Sequence, residues 1–137
     1  MMANLKHIFA VCIIQNGLTA VSRRDKGFQL IGSGGTATSL AAMAMNLEEA
    51  NVTPERINGA TVRYDDIQSI YDSIRPLSYA ERVRLKGIDE GRAEVILSGT
   101  IAVMSIMEFF SSDSLTVSYS DILEGLIISY LKGEKDE

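Results

Sequence analysis

Cysteine and histidine are almost absent from this sequence. Its 137 residues contain one cysteine, Cys12, and one histidine, His7. A single cysteine excludes an intramolecular disulfide framework and a cysteine-rich metal site, and it fits a reducing compartment, so we expect a cytoplasmic protein. A lone histidine is more typical of an ordinary side chain than of a metal ligand or a catalytic base. We therefore assign no role to His7.

Positive charge and long apolar runs are also scarce. The formal net charge is −5 at pH 7, whereas nucleic acids and anionic membranes are bound by clustered positive charge. No stretch reaches the ~18 apolar residues that a membrane-spanning helix needs. The apolar run over residues 8–14 resembles the core of a secretion signal, but it has the minimum length and breaks at Gln15. We therefore expect neither a nucleic-acid nor a membrane partner, and we interpret residues 3–16 as a helix.

The sequence does contain enough apolar material for one folded domain. Hydrophobic residues make up 46% of the chain and charged residues 23%, which is typical of a globular protein. A chain of 137 residues can bury a sizeable core. We therefore treat residues 1–137 as a single domain.

A glycine-rich stretch connects an apolar strand to a helix. Bulky apolar residues flanked by glycine predict a strand over about residues 28–32. Unpaired N–H groups and the dipole at the start of the helix that follows favour a phosphate or a carboxylate. The apolar spacing predicts that this helix faces the core with Leu40, Met43, Ala44 and Leu47.

The turn between this strand and helix supplies the candidate anion-binding residues. They are three glycines and two hydroxyl residues, Gly32, Ser33, Gly34, Gly35 and Thr36. Glycine permits positive φ and a close approach of the backbone to a ligand, and threonine can cap the helix or contact the same anion. The spacing matches neither the dinucleotide fingerprint nor the Walker pattern. On the pattern alone, a purely structural turn is an equally good interpretation.

The rest of the chain adds helices and a second short strand. The apolar spacing and the capping signals predict helices over residues 65–74, from the capping box of Ser78 and Glu81 to Gly87, and over 121–131. Residues 92–110 are predicted to form one largely buried helix, or two that meet at Ser98-Gly99. The last helix is expected to face the core with Ile122, Leu126 and Ile127. Residues 115–118 are predicted to form a strand, and residues 57–64 are ambiguous and interpreted as a short extended segment.

This order of elements predicts a helix-rich α/β fold. The strands over 28–32 and 115–118 are expected to pair in parallel, covered by about five or six helices. Ligands of such sheets lie at the carboxyl ends of the strands. Ser118 ends the second strand and Glu124 lies one turn into the last helix. Both are therefore candidates for the rim of a cleft.

Four short motifs in order resemble the exopolyphosphatase/guanosine pentaphosphate phosphohydrolase (Ppx/GppA) family. The first is the glycine-rich stretch over residues 31–41, which is similar to a loop of that family's second domain. The resemblance covers about residues 28–130. The other motifs are Leu77-Ser78 with Glu81-Arg82 and Gly87-Ile88, then Arg92-Ala93-Glu94-Val95-Ile96 with Gly99, and finally Val117-Ser118 with Glu124-Gly125-Leu126.

The resemblance implies part of an actin-like ATPase (ribonuclease H-like) domain, namely the partial second domain of a Ppx/GppA-like phosphatase. In such an enzyme two domains close around a phosphoanhydride that is cut by an attacking water. The implied substrate is polyphosphate or a guanosine pentaphosphate-type anion, and the complete enzyme is implied to use a divalent metal such as Mg²⁺. The turn from Gly32 to Thr36 would supply backbone donors to the phosphates.

Several features that the family uses for catalysis have no counterpart in this sequence. The first domain with its catalytic glutamate is missing, as is the glycine-rich turn that opens the second domain. Ser98, Tyr119 and Leu123 stand where the family has proline, aspartate and arginine. Catalysis needs a positioned water, a base and charge neutralisation together. We therefore predict no catalytic residue, metal ligand or cofactor in this chain, and no hydrolysis of polyphosphate by the chain alone.

Two kinds of partner follow from this interpretation. A complementary first-domain chain would supply the missing half, or self-association would bury open strand edges and apolar helix faces. The alternative function is a non-catalytic oligomeric interaction or regulatory module derived from the family. A dinucleotide-binding fragment is the least favoured hypothesis, because the third glycine and an acidic residue about 20 residues further on are missing.

Overall fold

The computed structural model describes residues 29–120 and 122–132. The predicted helix over residues 3–16 lies outside them. Two 3-10 turns, Glu49–Asn51 and Glu90–Arg92, connect the larger elements. In chain order these are β1 (Ile31–Ser33), α1 (Gly35–Ala44), α2 (Pro54–Ile57), β2 (Thr61–Arg63), α3 (Tyr64–Ile74), α4 (Tyr79–Arg82), α5 (Ile96–Phe110), β3 (Ser114–Ser118) and α6 (Ile122–Lys132).

The sheet combines the predicted parallel pair with a third strand. Its order is β1-β3-β2. β1 runs parallel to β3 with Gly32 opposite Val117, which confirms the predicted pairing. β2 is antiparallel to β3 with Val62 opposite Leu115. It forms within the ambiguous segment 57–64, where three extended residues are too few to show a clear alternation.

One face of the sheet carries the main core. Val62, Leu115 and Val117 are buried on this face. Gly32 faces the same way, since a Cβ at this position would lie 3.0 Å from Leu115 Cδ1. Successive side chains of a strand point to opposite faces. Ile31 therefore points away from the core, and it is 61% exposed.

Helix α1 packs on the core face through small side chains. Its predicted stripe is right only in part: Leu40 is buried and Met43 half-buried, but Ala44 is exposed and Leu47 lies beyond the end of the helix. The apolar stripe begins one turn earlier than predicted, because the helix already starts at Gly35. Its buried apolar side chains are Ala37, Leu40, Ala41 and Ala42.

Helices α3 and α4 begin as the sequence predicts. Glu81 Oε2 accepts a hydrogen bond from the Ser78 backbone N–H at 2.7 Å, as part of the predicted capping box. However, α4 ends at Arg82 and not at Gly87, which follows in a separate turn. The predicted apolar stripe of α3 packs into the core with Ile67 and Ile74 buried and Ile70 and Tyr71 half-buried.

Helix α5 begins at Ile96 and not at Arg92. The chain first makes the 3-10 turn over residues 90–92, because the Asp89 side chain caps it by accepting from the Arg92 N–H at 3.0 Å. α5 then lies directly against the start of α1. A Cβ on Gly99 would be 2.5 Å from Thr36 Oγ1, so the glycine is what allows this close approach.

A side-chain hydrogen bond ties α3 to α5. The Tyr64 hydroxyl donates to Glu108 Oε1 at 2.5 Å. Burial and this hydrogen bond raise the pKa of Tyr64 to about 12, from an ordinary value of 10.0. Because the pKa of Tyr64 is higher in the folded chain than in the unfolded chain, the neutral phenol stabilises the fold. This contribution is lost as the pH rises from the pKa of the unfolded chain to the pKa of the folded chain.

Tyr64→Phe is expected to lower the free energy of unfolding at neutral pH by about 1 kcal/mol, because it removes a hydrogen bond to a carboxylate. Between pH 10.0 and about 12, the wild-type chain should lose stability faster than the variant. Urea unfolding at a series of pH values measures both effects. Identical pH profiles for the two proteins would contradict this role of Tyr64.

Helix α6 exposes Leu126 and Ile127, so the predicted inward face is wrong at these two positions, and the side chain of Ile122 lies outside what the structure describes. Leu126 and Ile127 are 58% and 60% exposed, and no other described element covers them. Apolar residues occur around most of this helix, so their spacing does not select one inward face. None of the helices in the described part of the chain has the combined length and hydropathy of a membrane span. The other exposed apolar side chains of α6 are Leu123, Ile128, Tyr130 and Leu131.

Candidate anion-binding site

The glycine turn has a backbone shape that glycine alone adopts readily. Gly34, the residue before α1, has φ +87° and ψ 177°, a region essentially restricted to glycine. The helical bonding begins with the Thr38 N–H, which donates to the Gly34 carbonyl at 3.1 Å. The N–H groups of the residues before Thr38 have no partner within the helix, and the N-cap residue, Gly34, has no side chain that could cap them. The start of α1 therefore offers backbone donors to an anion.

Arg92 lies directly against this turn. A Cβ on Gly35 would be 1.0 Å from Arg92 Nη1 and 2.1 Å from Cζ, so the guanidinium occupies the space that a side chain at Gly35 would need. Asp89 holds the arginine in place: Asp89 Oδ2 accepts from Arg92 Nε at 2.5 Å. The result is a fixed positive charge beside the positive end of a helix dipole.

These groups line an open cleft of about 450 Å³. Among the described residues, its charged side chains are Arg92, Asp89 and Glu49, and Gly87 forms part of its wall. The first turn of α1 carries no acidic residue, so the positive charge lies nearest the backbone donors. The other residues of the described ranges that line it are Gly34, Gly35, Thr38, Ser39, Val52 and Tyr119.

The structure divides the five predicted phosphate-binding residues between two surfaces. Gly34 and Gly35 line the cleft beside Arg92. Gly32, Ser33 and Thr36 instead line an apolar cavity of about 170 Å³ between β1 and α5. In addition, Thr36 is the residue that packs against Gly99. The part of the turn that faces the charged cleft is therefore smaller than the sequence suggested.

The two predicted rim residues lie at the end of β3 and in α6. Ser118 is opposite Ser33, so β1 and β3 end at the same edge of the sheet. Glu124 lines a second cleft, of about 640 Å³, together with Pro54, Glu55, Asn58, Tyr119 and Ser120. Tyr119 lines both clefts.

Sequence reasoning did not assign Arg92 to the site. In the sequence Arg92 stands out only as the first residue of a motif that resembles the family, and it lies 57 positions beyond Gly35. Its place beside the turn depends on the capped 3-10 turn before α5, which no local pattern reveals. A capping Asp at 89 with an arginine three residues later was the one local sign of a fixed guanidinium.

The described residues bring no group of three or more His, Cys, Asp or Glu side chains together in a way that could hold a metal ion. The divalent metal that the resemblance implies therefore has no side-chain cage in this part of the chain. The chemistry that the cleft itself supports is anion binding, by backbone N–H groups and one guanidinium.

Comparison with known proteins identifies relatives of this chain. The model of the Ppx/GppA phosphatase family matches residues 18–134. Exopolyphosphatase 2 of Mycobacterium tuberculosis is 31% identical over 106 residues, covering 72% of this chain and 32% of that protein. The bifunctional 3-dehydroquinate synthase/phosphatase of Fusobacterium nucleatum is 29% identical over 109 residues, covering 74% of this chain and 15% of that protein. The chain thus spans about a third or less of the length of these relatives.

Solved structures give the same picture of the fold. The Aquifex aeolicus member of the Ppx/GppA family superposes with a TM-score of 0.72 at 30% identity, covering 80% of this chain and 36% of that one. An exopolyphosphatase from Cytophaga hutchinsonii superposes with a TM-score of 0.74 at 20% identity, covering 98% and 42%. The described elements therefore form part of an actin-like ATPase fold, as predicted. Because the family model matches most of its length, this chain belongs to the Ppx/GppA phosphatase family.

Proposed function

We propose that this chain is the phosphate-binding portion of an exopolyphosphatase-like phosphohydrolase, built as the partial second domain of such an enzyme. One observation carries the proposal: the Arg92 guanidinium lies against Gly35, at the start of a ten-residue helix whose first N–H groups have no helical partner. Backbone donors, the helix dipole and a fixed guanidinium together suit a phosphate group.

The proposed ligand is a linear phosphoanhydride, either polyphosphate or a guanosine pentaphosphate-type anion. The name of the Mycobacterium tuberculosis relative, exopolyphosphatase 2, supports this class. Since the net charge of the chain is −5, long-range electrostatic attraction does not raise the local concentration of such an anion. The affinity must come from the local donors of the cleft, chiefly Gly34, Gly35 and Arg92.

Titration of the chain with sodium tripolyphosphate tests this proposal. We expect the backbone amide resonances of Gly34, Gly35 and Thr36 to shift in a saturable manner. Gly34→Ala should weaken the affinity by about tenfold, because a side chain at this φ and ψ forces the turn to change shape and removes a hydrogen bond to a charged group. NMR spectroscopy follows the resonances, and calorimetry gives the affinity.

Gly59→Ala is the matched control for that variant. Gly59 also has a positive φ, +80°, and nothing lies within 4 Å of its missing side chain. Its alanine variant should also be strained by this positive φ, but it should bind tripolyphosphate like the wild type. If tripolyphosphate leaves the turn resonances of the wild-type chain unmoved, the proposed site does not exist.

We further propose that the chain alone does not hydrolyse polyphosphate and that a complementary first-domain chain supplies the missing catalytic groups. The part of Mycobacterium tuberculosis exopolyphosphatase 2 that this chain does not match is a suitable test partner. Phosphate release from polyphosphate, measured with Mg²⁺ present, should be negligible for either chain and appear on mixing. Release by the 137-residue chain alone would overturn this part of the proposal.

A non-catalytic module that acts by self-association is the second candidate function. The exposed apolar side chains of α6, such as Leu126 and Ile127, favour it, because exposed apolar patches mark association surfaces. Light scattering should then give more than the monomer mass, and Leu126→Glu should restore the monomer. A monomeric wild-type chain at all concentrations would remove this candidate.

A further inference from the structure

The most exposed apolar side chains of α6 form one continuous stripe. They recur at i, i+3, i+4, i+7 and i+8, which places them along one side of an α-helix. No element of the described ranges covers this side of α6. Large apolar side chains in such an arrangement indicate a contact surface. The stripe consists of Leu123, Leu126, Ile127, Tyr130 and Leu131, each at least 58% exposed.

The face of the sheet opposite the core is also open at β1. Ile31 points to this face and is 61% exposed. Gln29 points the same way, since its side-chain Nε2 donates to Thr116 Oγ1 at 2.8 Å. Parallel strands are normally covered on both faces. The segment that leads into β1 and the helix that follows β3 are well placed to cover this face together, because β1 and β3 are neighbouring parallel strands.

We infer that residues 3–16 form a helix that packs on the apolar stripe of α6. This segment has a stripe of its own at helical spacing, made of Leu5, Ile8, Phe9 and Cys12. A single contact between the two helices therefore removes both stripes from water. The inference does not depend on the phosphate site, so it stands or falls separately from the proposed function.

The connection between this segment and β1 is long enough for the contact. Residues 17–28 span up to roughly 40 Å when extended, whereas the 11 residues of α6 span about 16 Å. A segment on such a tether has an effective concentration in the roughly millimolar range. A second copy of the chain at micromolar concentration competes poorly with it, and a contact between two α6 helices leaves the stripe of residues 3–16 uncovered. The inference therefore opposes self-association through α6, the second candidate function.

The reactivity of the Cys12 thiol tests this contact. Cys12 is the single cysteine of the chain, so Ellman's reagent reports on this position alone. In the folded wild type the reaction should be at least about tenfold slower than in urea, because a docked thiol reacts only when the segment opens. The slow rate should be the same at every protein concentration. Leu126→Glu should accelerate the reaction about tenfold, because a carboxylate within the apolar contact disfavours the docked state.

Val95→Glu is the matched control. Val95 is also an exposed apolar residue, at 52%, but it lies at the start of α5 and not on α6. This variant adds the same charge and should leave the rate of the Cys12 reaction unchanged. Urea unfolding checks that both variants keep the folded core. If the wild-type thiol reacts as fast as in urea, or if Leu126→Glu accelerates it no more than Val95→Glu, the inference is overturned.

A spin label distinguishes a contact within one chain from a contact between two copies. In a Cys12→Ala background, His7→Cys places a nitroxide on the side of the predicted helix that faces away from its stripe. The label should broaden the backbone amide resonances of α6 in the chain that carries it. In a mixture of spin-labelled chains with isotope-labelled chains that lack the nitroxide, the same resonances should stay sharp. Broadening in the mixture would identify a second copy as the occupant, and sharp resonances in both samples would show that residues 3–16 lie elsewhere; either result refutes the inference.

Discussion

Arg92→Met is expected to weaken the binding of tripolyphosphate by roughly ten- to a hundredfold. The guanidinium lies against Gly35 and can donate to a phosphate there, and a hydrogen bond between charged groups contributes about 1.5–3 kcal/mol. The loss is compounded by Asp89, whose carboxylate is neutralised by Arg92 in the wild type. In the variant this carboxylate would face the phosphate with no guanidinium beside it. Calorimetry at fixed salt measures the change.

Arg75→Met is the matched control for this experiment. Arg75 follows α3, is exposed and does not line the cleft, so its removal changes the net charge equally but not the site. It should alter the affinity less than twofold, roughly the size of a screened surface charge effect. If both variants lose the same affinity, the binding depends on net charge and Arg92 has no special role.

Gly87→Ala is expected to lower the free energy of unfolding by roughly 2–4 kcal/mol, since two costs combine. The residue has φ +78°, which strains any other residue, and its missing Cβ would lie 3.0 Å from the Ala42 carbonyl carbon and the Met43 nitrogen. These are backbone atoms of α1, which cannot move aside as a flexible side chain would. Urea unfolding monitored by circular dichroism measures the effect.

The variant Gly59→Ala isolates the first of these costs. Gly59 has φ +80°, and nothing lies within 4 Å of the position that a Cβ would take. The variant should therefore lose only about 1 kcal/mol of unfolding free energy. The difference between the two variants then gives the cost of pushing the Gly87 turn away from α1. Equal losses would show that the close packing of Gly87 on Ala42 contributes nothing.

The sequence was most informative where local chemistry decides the structure. The capping box of Ser78 and Glu81 and the apolar stripe of α3 formed as predicted. The parallel pairing of β1 with β3 was also predictable, because a strand, several helices and a second strand leave few other arrangements. Gly34 has the glycine-restricted backbone that the glycine-rich turn suggested.

The predictions that were wrong or incomplete concern features that depend on tertiary contacts. Arg92 reaches the turn only because Asp89 caps a 3-10 turn and delays α5. Thr36 faces Gly99 and not the charged cleft, and no pattern in the turn itself distinguishes the two sides. The inward face of α6 was wrong because apolar spacing shows which side chains need cover, but not whether the described part of the chain provides it.

The uncovered helix α6 also affects how the stability of this chain is measured. Side chains such as Leu126 and Tyr130, 58% and 84% exposed, offer a surface that a second molecule can bury. Association of folded chains stabilises them by mass action, so the midpoint of unfolding then rises with protein concentration. Each comparison of variants proposed above should therefore use one fixed concentration, and a dilution series on the wild type would show how much of the apparent stability belongs to the single chain.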